Sequence, residues 1–359
     1  MQKYSGISVI IPSYDPDEKL LATVKGVLDA GFSDVIAVND GSAPDKAGIF
    51  AEVAGIKGVT LLTHEVNRGK GAALKTAFRY LQENRPDSVG AVTADGDGQH
   101  LAKDICACVD EMLKTGECVL GARDFSQPGI PERSLKGNRI TQKVFKRFFG
   151  VEVADTQTGL RVFPAKYYQA LIETSGDRYE YENNMLLTFR DKKMPFSEVK
   201  IETVYIDENS ASHFRPVRDS ARIYYRLFER VIKYTASSVI CTVVENVIQT
   251  VLHDLLTGRV ASRMVLELCD FLPARIISAL LNYFINRRFV FKEKQRTGSL
   301  GRYALLWVSQ AAVTWLAITA VESLAGGTGG IVYFLLISLV KTVIFFISYK
   351  VQKKWVFKT

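Results

Sequence analysis

Short runs of β-branched and other apolar residues alternate with helically spaced apolar positions over residues 7–121. The runs are ISVIIP, DVIAVND, GVTLLTH, AVTAD and CVLGA. Between the first two, Leu20, Leu21, Val24, Val27 and Leu28 recur at the spacing of one helix face. Strand–helix–strand units return each strand in the same direction, so this alternation predicts an α/β domain with a mainly parallel, Rossmann-like sheet. Further along, Arg222, Arg226 and Arg230 recur every fourth residue, with Ile223, Leu227 and Val231 one step away, which predicts an amphipathic helix on a membrane surface. Beyond it the globular mixture gives way to apolar stretches at 235–254, 271–290, 303–322 and 331–349. Each approaches the ~20 residues needed to cross a bilayer. The expected organisation is an α/β domain over 1–218, an interfacial helix over 219–234 and an all-α transmembrane bundle over 235–359.

Charge gives this picture a direction. The net charge of +8 is accompanied by no recognition-helix, zinc-finger or aromatic-platform motif, and much of it lies beside the apolar stretches, so a membrane surface is the expected partner and nucleic acid is not. The loop NRRFVFKEKQRTGSLGR and the tail YKVQKKWVFKT are rich in Lys and Arg, whereas ESLAGGTGG has neither. The expectation is an integral plasma-membrane protein of four spans, with the α/β domain and both termini cytoplasmic. The start MQKYSGISVIIPSY is too short and strand-like for a cleaved signal, and five cysteines without zinc spacing read as reduced thiols. Glu245, Arg275 and Lys341 lie within the apolar stretches and are expected to face the bundle interior and pair. An internal echo, NYFINRRFVFK at 282–292 and SYKVQKKWVFK at 348–358, points to a duplicated two-helix unit. Nothing in the sequence fixes an oligomeric state, although the membrane half could support a homo-oligomer.

The candidate chemistry gathers at strand ends, where ligands of parallel sheets bind. These ends carry Pro12-Ser13-Tyr14-Asp15, Asn39-Asp40-Gly41-Ser42, Asn67-Arg68-Gly69-Lys70-Gly71 and Asp95-Gly96-Asp97-Gly98-Gln99-His100. Neither GxGxxG nor a Walker lysine motif follows the first strand, which argues against a dinucleotide or P-loop enzyme. Asp95 and Asp97, with the amide oxygen of Gln99, form an oxygen set suited to Mg2+ or Mn2+ and, through it, to substrate phosphates. Lys70 precedes an Ala-rich helix, where it could meet an anion. Asp15, Pro16 and Glu18 match a helix N-cap, a first-turn proline and a capping-box glutamate. Downstream, Arg133, Lys136 and Arg139 form a basic patch suited to an acidic substrate, of which Arg133 and Lys136 are the acceptor-phosphate candidates.

The ordered set VIIPSY, NDGS, NRGKGAAL, DGDGQH, GAR and DTQTGLR resembles the family 2 glycosyltransferases of GT-A fold, in the group of dolichyl-phosphate mannose synthases and polyprenyl-phosphate glucosyltransferases. The resemblance covers residues 7 to about 216. It implies that Pro12, Tyr14 and Asp40 border the nucleotide, that Asp95 contacts it, that Asp97 and Gln99 hold the metal and that Arg123 meets the donor diphosphate. Asp155 stands where the family has its candidate base; it could equally orient the acceptor, act on the metal indirectly or hold Arg161. Gln157, and Ser212, His213 and Arg215 in a loop that also resembles the family, join the acceptor-phosphate set. Asn39 replaces the first carboxylate of the usual DDGS, and Pro16 replaces a common glutamate. The repeated segments resemble the four-span GtrA family. Together these resemblances imply a metal-dependent, inverting transfer of a hexose from a UDP- or GDP-sugar to an undecaprenyl- or dolichyl-type phosphate. The competing reading is a lipid-linked sugar transporter or scramblase whose α/β half only binds or loads cargo.

Overall fold

A computed structural model describes residues 3–124, 132–202, 216–260, 262–292, 298–324 and 331–357. The chain divides into two compact units, Met1–Tyr224 and Tyr225–Thr359. The first is an α/β unit. Its strands are β1 (Ile7–Ser13), β2 (Asp34–Asn39), β3 (Val59–Thr63), β4 (Gly90–Thr93), β5 (Cys118–Arg123), β6 (Arg161–Pro164) and β7 (Phe196–Ile201). Its helices are α1 (Lys19–Asp29), α2 (Ala47–Ala54), α3 (Lys70–Asn84), α4 (Ala102–Thr115), α5 (Glu132–Val144), α6 (Tyr168–Glu173) and α7 (Glu180–Asp191).

The five strands expected from the apolar runs all form, and Leu20, Val24 and Val27 of α1 are buried against them, as the helical spacing requires. They form one sheet in the order β3-β2-β1-β4-β6-β5-β7. The chain builds outward from β1 to β2 and β3, then returns to place β4 on the other side of β1. That reversal leaves a crevice beyond the ends of β1 and β4, where no crossover covers the strand ends. The expected α/β sheet is thus observed, with one departure from parallel order. Strand β6 runs antiparallel to both β4 and β5. Its beginning, not its end, therefore lies at the crevice, and this brings the segment before it, Asp155–Gly159, beside the segment after β4. The Thr93 hydroxyl fastens the two by donating to the Gly159 carbonyl at 2.7 Å.

In the second unit the helices are α8 (Pro216–Leu256), which begins before the boundary, α9 (Arg263–Ile285), α10 (Ser299–Leu324) and α11 (Ile331–Val351). Among the described residues, three segments are long and apolar enough to cross a membrane: Phe228–Leu256, Ser299–Val321 and Phe334–Val356. The fourth expected span, 271–290, falls on α9 and the turn after it. α9 also carries Arg263, Glu267, Asp270 and Arg275.

The charges on α8 and α9 are matched along a polar ridge. Ser237, Cys241, Glu245, Gln249 and His253 recur every fourth residue on α8, the spacing of a packing ridge. They meet Asn282, Ser278, Arg275 and Asp270 of α9: Asn282 Nδ2 donates to Ser237 Oγ, Ser278 Oγ donates to the Cys241 carbonyl, Arg275 Nη1 lies 2.8 Å from Glu245 Oε1, and Asp270 faces both Gln249 and His253. The expected Glu245–Arg275 pair is therefore present. Lys341 departs from expectation, because it is exposed on α11. It shares the helix stripe of Phe345 and Ser348, but burial in this unit concentrates toward the ends that carry the repeated motif.

At those ends the sequence echo becomes a geometric one. Each copy closes with one π-helical turn, Asn286–Val290 and Gln352–Val356. Asn286 Nδ2 donates to Gln352 Oε1 at 3.1 Å, and Phe291 stacks on Phe357 with centroids 4.9 Å apart. The cross-contacts are reciprocal: Tyr283 packs on Phe357, and Tyr349 on Phe291, each at 5.9 Å. Equivalent residues meeting each other, and non-equivalent ones meeting in pairs, is the signature of a two-fold relation between the copies.

Candidate active site

The site grows from the loop after β2. Asn39 ends that strand, and its side-chain oxygen accepts from the Ser42 amide at 2.9 Å, a turn that an aspartate would close equally well. The neighbouring Asp40 is buried, and its carboxylate is directed inward. It takes hydrogen bonds from the backbone amides of Arg68 and Gly69 at 3.0 and 2.7 Å and faces His64 Nδ1 at 2.7 Å. Asp40 thus shapes the Asn67–Gly71 loop. Gly69 has φ +102° with Asp177 and Arg178 pressed against it, so a side chain would be both strained and crowded there.

That loop delivers Lys70 as the first residue of α3. Its ammonium lies 2.7 Å from Asp95 Oδ1 and 2.8 Å from Glu182 Oε1. Burial works against the charge, but the two carboxylates outweigh it and hold the amine above its usual pKa. Asp95 is affected reciprocally: burial raises its pKa, but Lys70, His100 and Arg123 together more than offset this and the carboxyl is brought down to about 2. The Asp95 amide donates to His100 Nδ1 at 3.0 Å, which fixes the ring, and burial lowers the His100 pKa. Gly159 closes the other side, where a Cβ would come within 2.5 Å of Asp95 Oδ2.

Asp97 is in the opposite electrostatic position. Burial and then the charge of Asp95 raise its pKa, against the Gln99 amide, donating at 3.0 Å, and the nearby His100 and Lys70, which favour its ionised form. Such a carboxylate is well suited to a cation. Among the described residues no cluster of three or more His, Cys, Asp or Glu side chains forms a metal cage. Mg2+ and Mn2+ bound with substrate phosphates need only one or two protein groups, so the donor set of Asp97 and Gln99 fits such an ion.

Across the crevice, at the end of β5, Arg123 is gripped by Asp155, which is 0% exposed. Asp155 Oδ2 accepts from Arg123 Nε at 2.6 Å, Oδ1 accepts from Nη2 at 3.1 Å, and the Gln157 amide donates to Oδ1 at 2.9 Å. The partner of Asp155 in this contact is Arg123 and not Arg161. Arg161 instead donates to the carbonyls of Thr158 and Glu182. Gln157 is exposed beside this pair, Pro12 is half-buried in β1, and Tyr14 is exposed after it. The side chains of Arg133 and Lys136, and all of Ser212, His213 and Arg215, lie outside the described residues.

Two features of the site differ from the sequence reading. Asp15 does not cap α1, which starts at Lys19 with Asp17 Oδ1 accepting from the Lys19 amide. Asp15 adopts φ +47° and ties the first loop to the second: its Oδ1 accepts from the Ala43 amide and its amide donates to Ser42 Oγ. Glu182 was not singled out at all. The signal was its segment, RYEYENN, and the missing step was the fold, which brings the first turn of α7 against Lys70.

Residues 8–172 match the family described as glycosyl transferase family 2. The chain carries a family 2 glycosyltransferase domain. The transferase also aligns with curated proteins over most of their lengths. An uncharacterized protein of Methanocaldococcus jannaschii is 29% identical over 226 residues, covering 62% of this chain and 90% of that one. The UDP-N-acetylglucosamine–dolichyl-phosphate N-acetylglucosaminyltransferase of Methanococcus voltae is 29% identical over 244 residues, covering 62% and 94%. The undecaprenyl-phosphate mannosyltransferase of Micrococcus luteus is 24% identical over 216 residues, covering 56% and 84%.

Proposed function

We propose that this glycosyltransferase moves a hexose from a UDP- or GDP-sugar to a polyprenyl phosphate of undecaprenyl or dolichyl type at the cytoplasmic face of the plasma membrane. The observation that carries the reading is the convergence around Asp95 of Lys70 at the start of α3, Asp97 after β4 and Arg123 at the end of β5, in a chain whose described residues hold three segments apolar enough to cross a membrane. Relatives named for dolichyl and undecaprenyl phosphate support the acceptor class, and their differing sugars leave the donor to experiment.

In this reading Pro12 and Tyr14 border the nucleotide, Asp40 supports that border through the loop it anchors, and Asp95, Lys70 and Arg123 address the donor. Asp97 and Gln99 would hold Mg2+ or Mn2+, which when bound supplies positive charge opposite the departing diphosphate. An acceptor phosphate monoester, with its second pKa near ~6, is already largely dianionic at neutral pH. No residue is needed to remove a proton from it. Asp155 therefore acts through Arg123: its buried carboxylate fixes the guanidinium fork toward the donor. An acceptor phosphate oxygen forms the new bond to the anomeric carbon as the bond to the diphosphate breaks, and the nucleoside diphosphate leaves with the electron pair. One displacement of this kind inverts the anomeric centre. Arg133, Lys136, Gln157, Ser212, His213 and Arg215 are assigned to the acceptor phosphate.

We assign functional boundaries at 1–218, 219–234 and 235–359, with α9 as the fourth crossing and the basic loops on the cytoplasmic side. The decisive assay follows nucleoside diphosphate release by the full chain with and without polyprenyl phosphate. Release that depends on the lipid phosphate is expected, and release indifferent to it would overturn the acceptor assignment.

A further inference from the structure

The ammonium of Lys70 is shared between two carboxylates that come from distant parts of the chain. Asp95 follows β4, and Glu182 lies in the first turn of α7. Glu182 is itself buried and rigidly placed, because its carbonyl accepts from Arg161 Nη1 at 2.6 Å and that arginine is 1% exposed. The Lys70 loop is clamped to the same region: the Ala72 amide donates to the Asp177 carbonyl, and Lys75 Nζ donates to the Gly176 carbonyl and to Asp177 Oδ1. The lysine reaches the two carboxylates on a flexible four-carbon stem, whereas Asp95 and Glu182 are shorter side chains whose backbones are held by His100 and Arg161. Lys70, Asp95, Asp97 and Glu182 together carry a net charge of −2, matched to one divalent cation and leaving no surplus positive charge for a diphosphate. An anion that recruits Lys70 must then displace one of its two oxygen partners. Asp95 is backed by Gly159 and His100 at the strand ends, so Glu182 is the partner whose contact is exchanged.

We propose that Glu182 is the resident counter-ion of Lys70 and competes with the donor diphosphate for it, so that re-forming the Lys70–Glu182 pair helps expel the nucleoside diphosphate product. This inference rests on the reading of Lys70 as a donor-phosphate ligand. Glu182 touches no substrate; it acts through the lysine. A partner buried in a charged hydrogen bond sets dissociation, whereas a charge acting through space sets association and its salt dependence. The two effects are therefore separable.

The experiment measures kon and koff of UDP and of GDP on the full-length protein in detergent at saturating magnesium. For Glu182→Gln, which keeps shape and removes charge, koff falls about tenfold, the scale of one charge-assisted hydrogen bond, while kon stays within about twofold. Turnover falls along with koff wherever release limits the rate. Lys70→Met is the second variant, and it raises koff because the phosphate loses its cation. If Glu182→Gln leaves koff unchanged, weakens binding or changes only kon, the inference is overturned while the donor reading stands. If Lys70→Met leaves koff unchanged, Lys70 does not hold the donor phosphate, and the inference falls together with that reading of Lys70. If neither nucleotide binds the unmodified protein, the donor reading fails and this inference fails with it.

Discussion

The guanidinium of Arg123 lies on the carboxylate of Asp155 through two hydrogen bonds, 2.6 and 3.1 Å long, and Asp155 is wholly buried beneath it. A carboxylate so engaged has both oxygens committed to orienting the arginine. Asp155→Asn and Arg123→Lys are therefore expected to damage transfer alike, since each breaks the two-point fork. Asp155→Asn removes the buried anion of this pair at a cost of about 3–5 kcal/mol and should melt earlier, whereas Arg123→Lys keeps a cation and should melt closer to the unmodified protein. Initial rates and thermal unfolding check this. Near-normal transfer by Arg123→Lys with severe loss in Asp155→Asn would instead support a proton-accepting role for Asp155.

Gly159 is held to hydrogen by Asp95. A Cβ at this position would come within 2.5 Å of Asp95 Oδ2 and must push the carboxylate off Lys70. Gly159→Ala should still fold, with an overpacking cost of ~1–3 kcal/mol, and should bind nucleoside diphosphate less tightly. Calorimetric titration tests this, and unaltered affinity would show that the position of Asp95 does not matter for the donor.

Asp97 is the carboxylate that burial and a like charge leave in need of a cation. Asp97→Asn should weaken Mg2+ or Mn2+ binding by more than the ~10–100-fold typical of outer-shell partners. Manganese binding followed by electron paramagnetic resonance reads this without any turnover. Equal binding by the variant would move the metal away from Asp97.

Within the membrane unit, Arg275 is 44% exposed along its side chain and Glu245 14%, so the pair sits at the edge of the α8–α9 ridge. Glu245→Gln removes the carboxylate from Arg275 and, with α9 crossing the membrane as proposed, is expected to destabilise the unit by about 0.6–2 kcal/mol, the range for polar contacts between membrane helices. Unfolding in mixed micelles measures the change. A more stable variant would show that the ion pair is retained for something other than helix association.

Much of this architecture was legible because its signals are local. Runs such as ISVIIP and DVIAVND carry their own periodicity, and β1 to β5 formed where those runs lie. Strand β6 was not legible, because RVFP is four residues long and its direction is set by its neighbours β4 and β5. That direction is what puts Gly159 on Asp95 and Asp155 under Arg123. Asp15 matched a capping template, but a left-handed turn bonded to Ser42 and Ala43 won over the cap. Glu182 required knowledge that α7 returns to Lys70, which no spacing in the sequence encodes. The repeated motif pointed to a duplicated two-helix unit, but the Asn286–Gln352 and Phe291–Phe357 contacts between its copies are set by the fold.

The central claim is that the acceptor is a lipid phosphate, and label transfer tests it most directly. The purified full chain is reconstituted in vesicles containing undecaprenyl phosphate and incubated with radiolabelled UDP- and GDP-sugars and magnesium, with undecaprenol as the phosphate-free control. Label is expected in the lipid extract only with the phosphate, from at least one donor, and not with Asp97→Asn. No labelled lipid from any donor, or equal labelling of undecaprenol, would contradict the account.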